Sequence, residues 1–411
     1  MTREMGETMR SSHETDLEST FGRALYAARA TWGSEWIPTR AAVAPGRIEI
    51  LGNHVDYNGG PVLAAAVDRA TVILSDDTDE LAILFADFDG AGVSVIDMNA
   101  PELVAASHGS PEPTDFVLGA VARSRAKARP VRTGRAVVAT SVPIGSGMSS
   151  SAAFCVALSL LLNQVAPSGA ELVYDAQAAE NWTGVPCGTM DQAASVFGNV
   201  IRYAGPEGTT SVAPDLGDHC FVVVGSRVER TLGTSSYPQR VRECAEAAAL
   251  LTSYWGRPVG NLAAVTPAEL DDLEGGVLPA PLDARARHVV TEIQRVNAGE
   301  AAMIEQDWET FGELMNASGA SSAGDYAISH PHVEALVAVM KSVPGVMGAR
   351  MMGGGEGGST LALLLRESLP ALRTAVIAFF EDDDAGDAIV PLSFAPGARL
   401  LSTDEIARLV Q

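Results

Sequence analysis

A mixed α/β fold in two domains is the prediction for this chain, and it depends on apolar patterning and on length. Residues 136–142 are small and β-branched, as in a buried strand, and residues 152–162 form an apolar run without glycine or proline, as in a buried helix. Helix-like runs at 284–315 and 329–343 precede a strand-like run at 361–365. The chain has 411 residues, 47% of them hydrophobic and 19% charged, so it can bury a large core.

The charge of the chain excludes several classes of partner. Its formal net charge is −23, whereas nucleic acids and anionic membranes need a basic surface, so neither is expected as a partner. No apolar run reaches the roughly 18 residues of a membrane span, and the polar start lacks the apolar core of a signal peptide. We therefore expect a cytoplasmic protein. The four cysteines contain no CxxC pair, which favours buried apolar roles over a zinc site or disulfides.

The strand-to-helix junction at residues 143–152 reads Pro-Ile-Gly-Ser-Gly-Met-Ser-Ser-Ser-Ala. Amides at a helix N-terminus attract anions, and glycines let the backbone approach a ligand closely. The junction is thus a candidate phosphate-binding loop, although by itself it fits a simple turn equally well. A Walker loop is excluded because neither lysine, Lys127 or Lys341, follows a glycine. Amides, hydroxyls, arginine and metal would have to hold a phosphate here.

A second segment, residues 44–60, is an apolar strand that runs into a polar turn. Arg47 offers a fixed fork of donors for an anion. The polar side chains after the strand are Asn53, His54 and Asp56. Such groups can line a hydroxyl-rich ligand, as in sugar binding. The alternative is an ordinary β-hairpin that turns at the Asn-Gly pair of residues 58–59.

Two further segments carry carboxylates or glycines. In residues 180–192, Glu180 and Asp191 lie eleven positions apart across a loop with glycine and proline. Glu180 can sit at a helix end as a metal ligand while Asp191 opens the next helix and faces the same cavity; a helix N-cap is the alternative role for Asp191. Residues 353–358 contain five glycines, whose entropic cost indicates close approach to a ligand or another backbone.

These four segments, in this order, resemble the signature motifs of the GHMP small-molecule kinases, and of galactokinases in particular. The resemblance extends over most of the chain. It implies a two-domain α/β (α+β) fold with the active site between the domains and a C-terminal half of ferredoxin-like character. Residues 1–20 are then expected to be a flexible tail, residues 21–208 the N-terminal kinase domain with the sugar signature and phosphate loop, and residues 209–411 the C-terminal kinase domain.

The resemblance also implies roles for individual residues. Asp191 would orient or deprotonate the anomeric hydroxyl of a sugar beside Arg47, since an arginine favours the ionised form of a neighbouring carboxylate and stabilises charge on a transferred phosphoryl group. Ser151 and Glu180 would coordinate Mg²⁺, which prefers oxygen ligands. The loop that would hold the ATP phosphates comprises Gly145, Ser146, Gly147, Met148, Ser149, Ser150 and Ser151. The residues expected to contact the sugar are Asn53, His54, Asp56, Gly188 and Tyr237.

Four positions depart from the galactokinase pattern. Asn53 stands where the family usually has a glutamate that resembles a ligand of the hydroxyl at carbon 6, and a neutral amide would tolerate an acidic or longer substituent there. Glu49 replaces a usual Asn, and Ser236 replaces a usual Glu. Glu356 replaces a usual Phe in the glycine-rich loop, and we expect it to point away from the phosphates.

The resemblance therefore implies ATP-dependent phosphorylation of the anomeric (C1) hydroxyl of a galactose-like sugar, including one modified or extended at carbon 6, such as a uronic acid or a heptose or octose phosphate. Plain galactokinase activity is one alternative. Another is a catalytically silent sensor that binds sugar and ATP, although the presence of Arg47, Ser151, Glu180 and Asp191 disfavours it. The expected partners are the sugar and ATP, in a monomer or homodimer.

Overall fold

The computed structural model describes residues 12–87, 92–100, 103, 111–184, 187–228 and 236–411. The helices in these ranges are α1 (Ser12–Trp32), α2 (Pro113–Ala126), α3 (Ser150–Leu162), α4 (Gly169–Asn181), α5 (Met190–Phe197), α6 (Tyr237–Trp255), α7 (Pro267–Asp271), α8 (Leu282–Glu305), α9 (Trp308–Ala323), α10 (Pro331–Lys341), α11 (Leu369–Phe380) and α12 (Thr403–Val410). The strands are β1 (Arg40–Leu51), β2 (Val62–Ser75), β3 (Leu81–Phe85), β4 (Ser94–Ile96), β5 (Gly134–Thr140), β6 (Val200–Tyr203), β7 (Thr210–Val212), β8 (His219–Gly225), β9 (Val346–Met352), β10 (Ser359–Leu365), β11 (Ile389–Leu392) and β12 (Arg399–Leu400).

The first sheet is mixed and has the order β12-β1-β2-β5-β3-β4, with β6 and β7 attached through β2. The two faces of β1 are both buried: Ala42 and Ala44 lie in the core beneath α3, whereas Ala41 and Val43 lie in the core beneath α1. Alternate residues of a strand point to opposite faces. Covering both faces with helices therefore explains why β1 is apolar almost throughout.

The second sheet is antiparallel and has the order β11-β8-β10-β9. Numbered within this half, the order is 4-1-3-2. Helices α6 to α10 connect β8 to β9, strands β9 and β10 form a hairpin, and α11 connects β10 to β11. This is the βαββαβ arrangement of ferredoxin-like folds, with several helices in the first connection. The expected ferredoxin-like character is present.

One apolar core joins the two halves. Ile48 and Ile50 of β1 pack in the same cluster as Phe221 of β8 and Leu361 of β10. The other face of the second sheet packs on α10 and α11, where Leu336 is fully buried. Because apolar burial is the main stabilising contribution, the continuous core fixes the two halves against each other at the place where the polar segments meet.

The predicted boundaries differ from the structure at three places. Residues 12–20, predicted as tail, begin α1, whose side chains Leu17 and Phe21 are buried; residues 1–11 lie outside the described part. Strand β7, at Thr210–Val212, follows the predicted boundary at 208 yet pairs with β6 of the first sheet. The chain end also returns to that sheet, since Leu400 pairs with Ala42. Local composition could not reveal these long-range pairings.

The sequence-predicted elements around the candidate loops are present. The strand predicted at 136–142 is β5, and the helix predicted at 152–162 is α3, which begins two residues earlier. The β1 and β2 strands do pair as a hairpin, but the connection covers residues 52–61 and contains a short 3-10 helix, so it is not a two-residue turn at 58–59. No described helix combines the length and the apolar character needed to cross a bilayer.

Candidate active site

The loop between β5 and α3 has the backbone of a tight anion cradle. Gly145 and Gly147 have φ angles of 76° and 74°, in the left-handed region that glycine adopts without strain. Ser149, which precedes α3, also has a positive φ of 56°. A non-glycine residue in this region is strained, and such strain clusters at functional sites. Met148 is fully buried, and its side chain packs in the apolar core.

Arg47 joins this loop to Asp191. Its Nε donates to Asp191 Oδ1 at 2.7 Å, its second terminal nitrogen donates to Asp191 Oδ2 at 2.5 Å, and the remaining one donates to the carbonyl of Gly147. The backbone amide of Arg47 donates to the carbonyl of Met148 at 3.0 Å. The close fit requires Gly46, where a Cβ would lie 2.8 Å from that same carbonyl oxygen. Burial lowers the pKa of Arg47, but the charge and hydrogen bonds of Asp191, together with the charges of Glu49 and Glu180, outweigh burial, and the net pKa is raised.

Asp191 does not cap a helix. It is the second residue of α5, whose N-cap position is Thr189. Besides the two bonds from Arg47, its Oδ2 accepts a hydrogen bond from the hydroxyl of Ser149. The carboxylate is therefore held from both sides, by the first strand of the chain and by the phosphate loop. Its side chain remains 29% exposed, so a ligand can reach it.

Glu180 and Ser151 place two oxygen atoms side by side at the start of α3. The hydroxyl of Ser151 donates to Glu180 Oε1 at 2.6 Å, and Gln192 Nε2 donates to Glu180 Oε2 at 2.6 Å. Burial raises the pKa of Glu180. A divalent cation would offset that cost, and Mg²⁺ is commonly held by one or two protein ligands together with substrate phosphates. Among the described residues, no group of three or more acidic, histidine or cysteine side chains is placed to hold a metal ion by itself.

The loop after β1 holds His54 in a fixed orientation. His54 has a φ of 62°, and its carbonyl accepts from Asn58 Nδ2 at 3.0 Å. Its Nδ1 lies 2.9 Å from the hydroxyl of Tyr57, which in turn lies 2.7 Å from the hydroxyl of Tyr326. The ring of Tyr237, the first residue of α6, lies with its centroid 5.2 Å from that of His54. Two of the residues expected to contact the sugar, His54 and Tyr237, thus lie side by side.

Asp56 lies next to Gly188 and under the influence of Asp191. A Cβ on Gly188 would be 3.3 Å from Asp56 Oδ2, which shows how closely the two segments approach. Desolvation, with the negative charges of Glu49 and Asp191, raises the pKa of Asp56 to about 6. The structure thus brings Asp56 close to Gly188 and within electrostatic influence of Asp191, and the pKa of Asp56 lies near 6.

Asn53 is placed differently from the expectation. Its side chain is completely buried, and its Nδ2 donates to the carboxylate of Glu49 at 3.1 and 3.3 Å and to the carbonyl of Gly353 at 2.9 Å. Its Oδ1 accepts from the hydroxyl of Ser322 at 3.2 Å. Asn53 therefore binds protein groups in this structure, where a contact with sugar was expected.

A buried carboxylate that sequence analysis did not identify supports the same loop. Glu292 of α8 is fully buried, and its Oε1 accepts from the backbone amides of Gly52 at 3.0 Å and Asn53 at 3.2 Å and from the hydroxyl of Ser318 at 2.6 Å. Its Oε2 pairs with Arg295 at 2.5 Å. Nothing in the local sequence distinguishes Glu292 from the exposed acids of the same helix; only its pairing with a loop 240 residues away does so.

Glu356 has a structural partner. Its Oε2 accepts from the backbone amide of Ser236 at 3.0 Å, at the N-cap position of α6. A carboxylate at a helix N-terminus is stabilised by the free amides and the helix dipole. The half-buried carboxylate is thus tied to the start of the helix that carries Tyr237, and the exchange of Phe for Glu has a physical reason.

Three family descriptions match this chain. The galactokinase galactose-binding signature matches residues 29–75, the GHMP kinase N-terminal domain matches residues 115–199, and the GHMP kinase C-terminal description matches residues 300–390. The first match contains Arg47 and Asp56, and the second contains the phosphate loop and Asp191. The matched segments therefore include the residues that meet at the site.

Relatives that align over most of their length are galactokinases as well. The chain is 36% identical to a galactokinase of Roseiflexus sp. (strain RS-1) over 348 residues, 82% of this chain and 87% of the relative. It is 34% identical to the galactokinase of Bos taurus over 410 residues, 96% of this chain and 100% of the relative.

Solved structures show the same fold. The crystal structure of Lactococcus lactis galactokinase complexed with galactose aligns with a TM-score of 0.79 at 26% identity, covering 91% of this chain and 98% of that chain. A mevalonate kinase aligns with a TM-score of 0.61 at 14% identity, covering 88% and 98%, and so shares the fold. Fold and site together define a GHMP small-molecule kinase. Within that class, the chain belongs to the galactokinase family and is a sugar kinase.

Proposed function

We propose that this chain transfers the γ-phosphoryl group of ATP to the C1 hydroxyl of galactose. The observation that carries the proposal is the bidentate Arg47–Asp191 pair, which lies where the phosphate loop meets the loop of His54 and Asp56. In this arrangement Asp191 orients or deprotonates the anomeric hydroxyl, and Arg47 stabilises charge on the phosphoryl group during transfer. Ser149 holds the carboxylate in place.

The nucleotide is proposed to bind at the glycine and serine loop, with amides of residues 145–150 on its phosphates. The left-handed glycines and the start of α3 support this placement. Ser151 and Glu180 would hold Mg²⁺, since they offer adjacent hard oxygen donors in a desolvated position. The ion, when bound, neutralises charge on the β- and γ-phosphates. The sugar is proposed to lie against His54, Asp56, Gly188 and Tyr237.

Galactose itself is favoured over a sugar modified at carbon 6. The expectation of an acidic or extended substituent depended on an exposed amide at Asn53, whereas that side chain is buried against Glu49, Gly353 and Ser322. The named relatives are galactokinases, and one solved relative holds galactose. These observations support a neutral hydroxymethyl group as the substituent.

The test is ADP release with ATP and Mg²⁺ against galactose, N-acetylgalactosamine, galacturonate, arabinose, and heptoses and octoses with and without a terminal phosphate. We expect the highest kcat/KM with galactose. A higher kcat/KM with galacturonate or with a phosphorylated octose would show that this sugar, and not galactose, is the substrate. Stabilisation by sugar and ATP without any ADP release would indicate a sensor.

The pKa of Asp56 predicts a pH dependence of sugar binding. An ionised carboxylate is the stronger acceptor for a sugar hydroxyl. Because the pKa of Asp56 is raised to about 6, lowering the pH through 6 protonates it, and the KM for sugar should rise by up to about tenfold per pH unit below the pKa. The KM for ATP should not follow. The check is a pH profile of both KM values for the wild type and for Asp56→Asn, which should bind sugar weakly at every pH.

Asp56→Asn should weaken sugar binding but stabilise the folded protein at pH 7. A carboxyl whose pKa is higher folded than unfolded favours the fold below its unfolded pKa of 3.8, and this contribution is lost as the pH rises through about 6. Ionised Asp56 therefore weakens the fold at pH 7. Asp56→Asn should melt at a higher temperature than the wild type at pH 7, whereas a general folding defect would lower the melting temperature together with sugar affinity.

A further inference from the structure

A fully buried arginine forms an ion pair across the two halves of the chain. Arg350 lies on β9 of the second sheet and Glu49 on β1 of the first. Arg350 has no exposed side-chain area, and it donates to Glu49 Oε1 at 2.8 Å. Its other acceptors are the carbonyl oxygens of Glu49, Ile50 and Met351, at 3.0 to 3.1 Å. Glu49 is thus the carboxylate that contacts this buried charge directly.

Asn53 completes the network because only an amide matches its surroundings. Two of its neighbours, the carboxylate of Glu49 and the carbonyl of Gly353, are acceptors, and its Nδ2 donates to both. The third neighbour, the hydroxyl of Ser322, donates to its Oδ1. A carboxylate at this position would face two acceptors with no proton to share, and it would add a second negative charge beside Glu49. Buried like charges and unpaired acceptors are costly.

We propose that Asn53 is a positioning residue whose amide holds Glu49 on Arg350 and ties the sugar-binding loop to the glycine-rich loop at Gly353. Asn53 directly precedes His54 and lies three residues before Asp56, so the network sets the backbone from which both side chains project. The inference rests on the proposed function in that it takes this loop to bind sugar.

The network also accounts for two departures from the motif together. In the galactokinase pattern that the chain resembles, position 49 is Asn and position 53 is Glu, whereas this chain has Glu49 and Asn53. The acid and the amide have thus exchanged places. The exchange keeps one carboxylate and one amide, so the local charge is unchanged, and the two side chains contact each other. The two positions are therefore expected to tolerate change as a pair and to resist change singly, as contacting residues do.

The test is a mutant cycle of Asn53→Glu, Glu49→Asn and the double exchange Glu49→Asn/Asn53→Glu. Asn53→Glu should lower the melting temperature without ligand and raise the KM for galactose about tenfold or more, a size typical of coupled residues. The KM for ATP should stay near the wild-type value. The double exchange should recover part of both losses, because the amide at position 49 can donate to the carboxylate at position 53, although the carbonyl of Gly353 still faces an acceptor. All sugars of the panel should be affected in the same proportion.

Asn58→Asp provides the matched control. Asn58 is a buried amide of the same loop that donates to the carbonyl of His54 and makes no described bond to Glu49, so Glu49→Asn should not rescue it. Recovery of a soluble fold by the double exchange, after failure of Asn53→Glu to fold, also supports the proposal. The proposal is overturned if Asn53→Glu has the melting temperature and KM of the wild type, or if the double exchange has the same values as Asn53→Glu. It is also overturned if Asn53→Glu alters only the preference between neutral and acidic sugars. The ligand-free melting temperatures test the network even if galactose proves not to be the substrate.

Discussion

Asp191→Asn is expected to reduce kcat by about 10²- to 10⁴-fold, the range for loss of a positioned general base. The substitution keeps the shape of the side chain but removes the charge that Arg47 contacts through two bonds. The amide nitrogen would also face a donor, because both carboxylate oxygens accept from Arg47. The measurement is the steady-state rate of ADP release with saturating ATP and galactose, together with the rise in melting temperature caused by each ligand.

The control for Asp191→Asn is a second arginine-aspartate pair at the opposite end of β5 from the phosphate loop. Asp76 accepts from Arg135 Nε at 2.8 Å and from Trp36 Nε1 at 3.0 Å. Asp76→Asn should lower the melting temperature and leave kcat near the wild-type value. The nucleotide should still stabilise Asp191→Asn. Wild-type turnover by Asp191→Asn would remove this carboxylate from the chemistry.

Local motifs predicted much of the fold and indicated the residues of the candidate site. The phosphate loop could be recognised because a glycine-rich junction between a strand and a helix has a recognisable composition, and the structure places it between β5 and α3. Asp191 could be found because a carboxylate in the first turn of a helix after a loop is a recognisable pattern. Each of these features is contained within about a dozen residues of sequence.

Long-range partners could not be predicted in this way. Asn53 was expected to contact the sugar because of its position in the motif. The orientation of its side chain depends instead on Ser322 and Gly353, which are about 270 and 300 residues away. The return of β12 to the first sheet and the burial of Glu292 also depend on distant contacts. Residues that support a site from another element give no local signal.

Glu292→Gln is expected to be the most destabilising conservative change around the sugar loop. Burial alone would raise the pKa of Glu292, but Arg295, with further contributions from His288 and Arg350, lowers it to about 2. The unfolded value is 4.5, so ionised Glu292 contributes about 3 kcal/mol at pH 7. Removing one partner of a buried ion pair has a cost of similar size, about 3–5 kcal/mol. The variant should also raise the KM for galactose, because the amides of Gly52 and Asn53 lose a charged acceptor.

The sign of the pH dependence separates this explanation from a packing defect. A carboxyl with a lowered folded pKa stabilises the fold fully above its unfolded pKa, and the contribution is lost as the pH falls through the folded value. The difference in melting temperature between wild type and Glu292→Gln should therefore be largest at pH 5–8 and should shrink as the pH falls from 4.5 towards 2, whereas a packing defect would give a constant difference. Glu300→Gln, on the same helix, is the matched control, because its bond to Arg202 is partly exposed and such pairs contribute about 0–1 kcal/mol. A Glu292→Gln protein as stable as Glu300→Gln at pH 7 would show that the buried carboxylate does not hold the sugar loop.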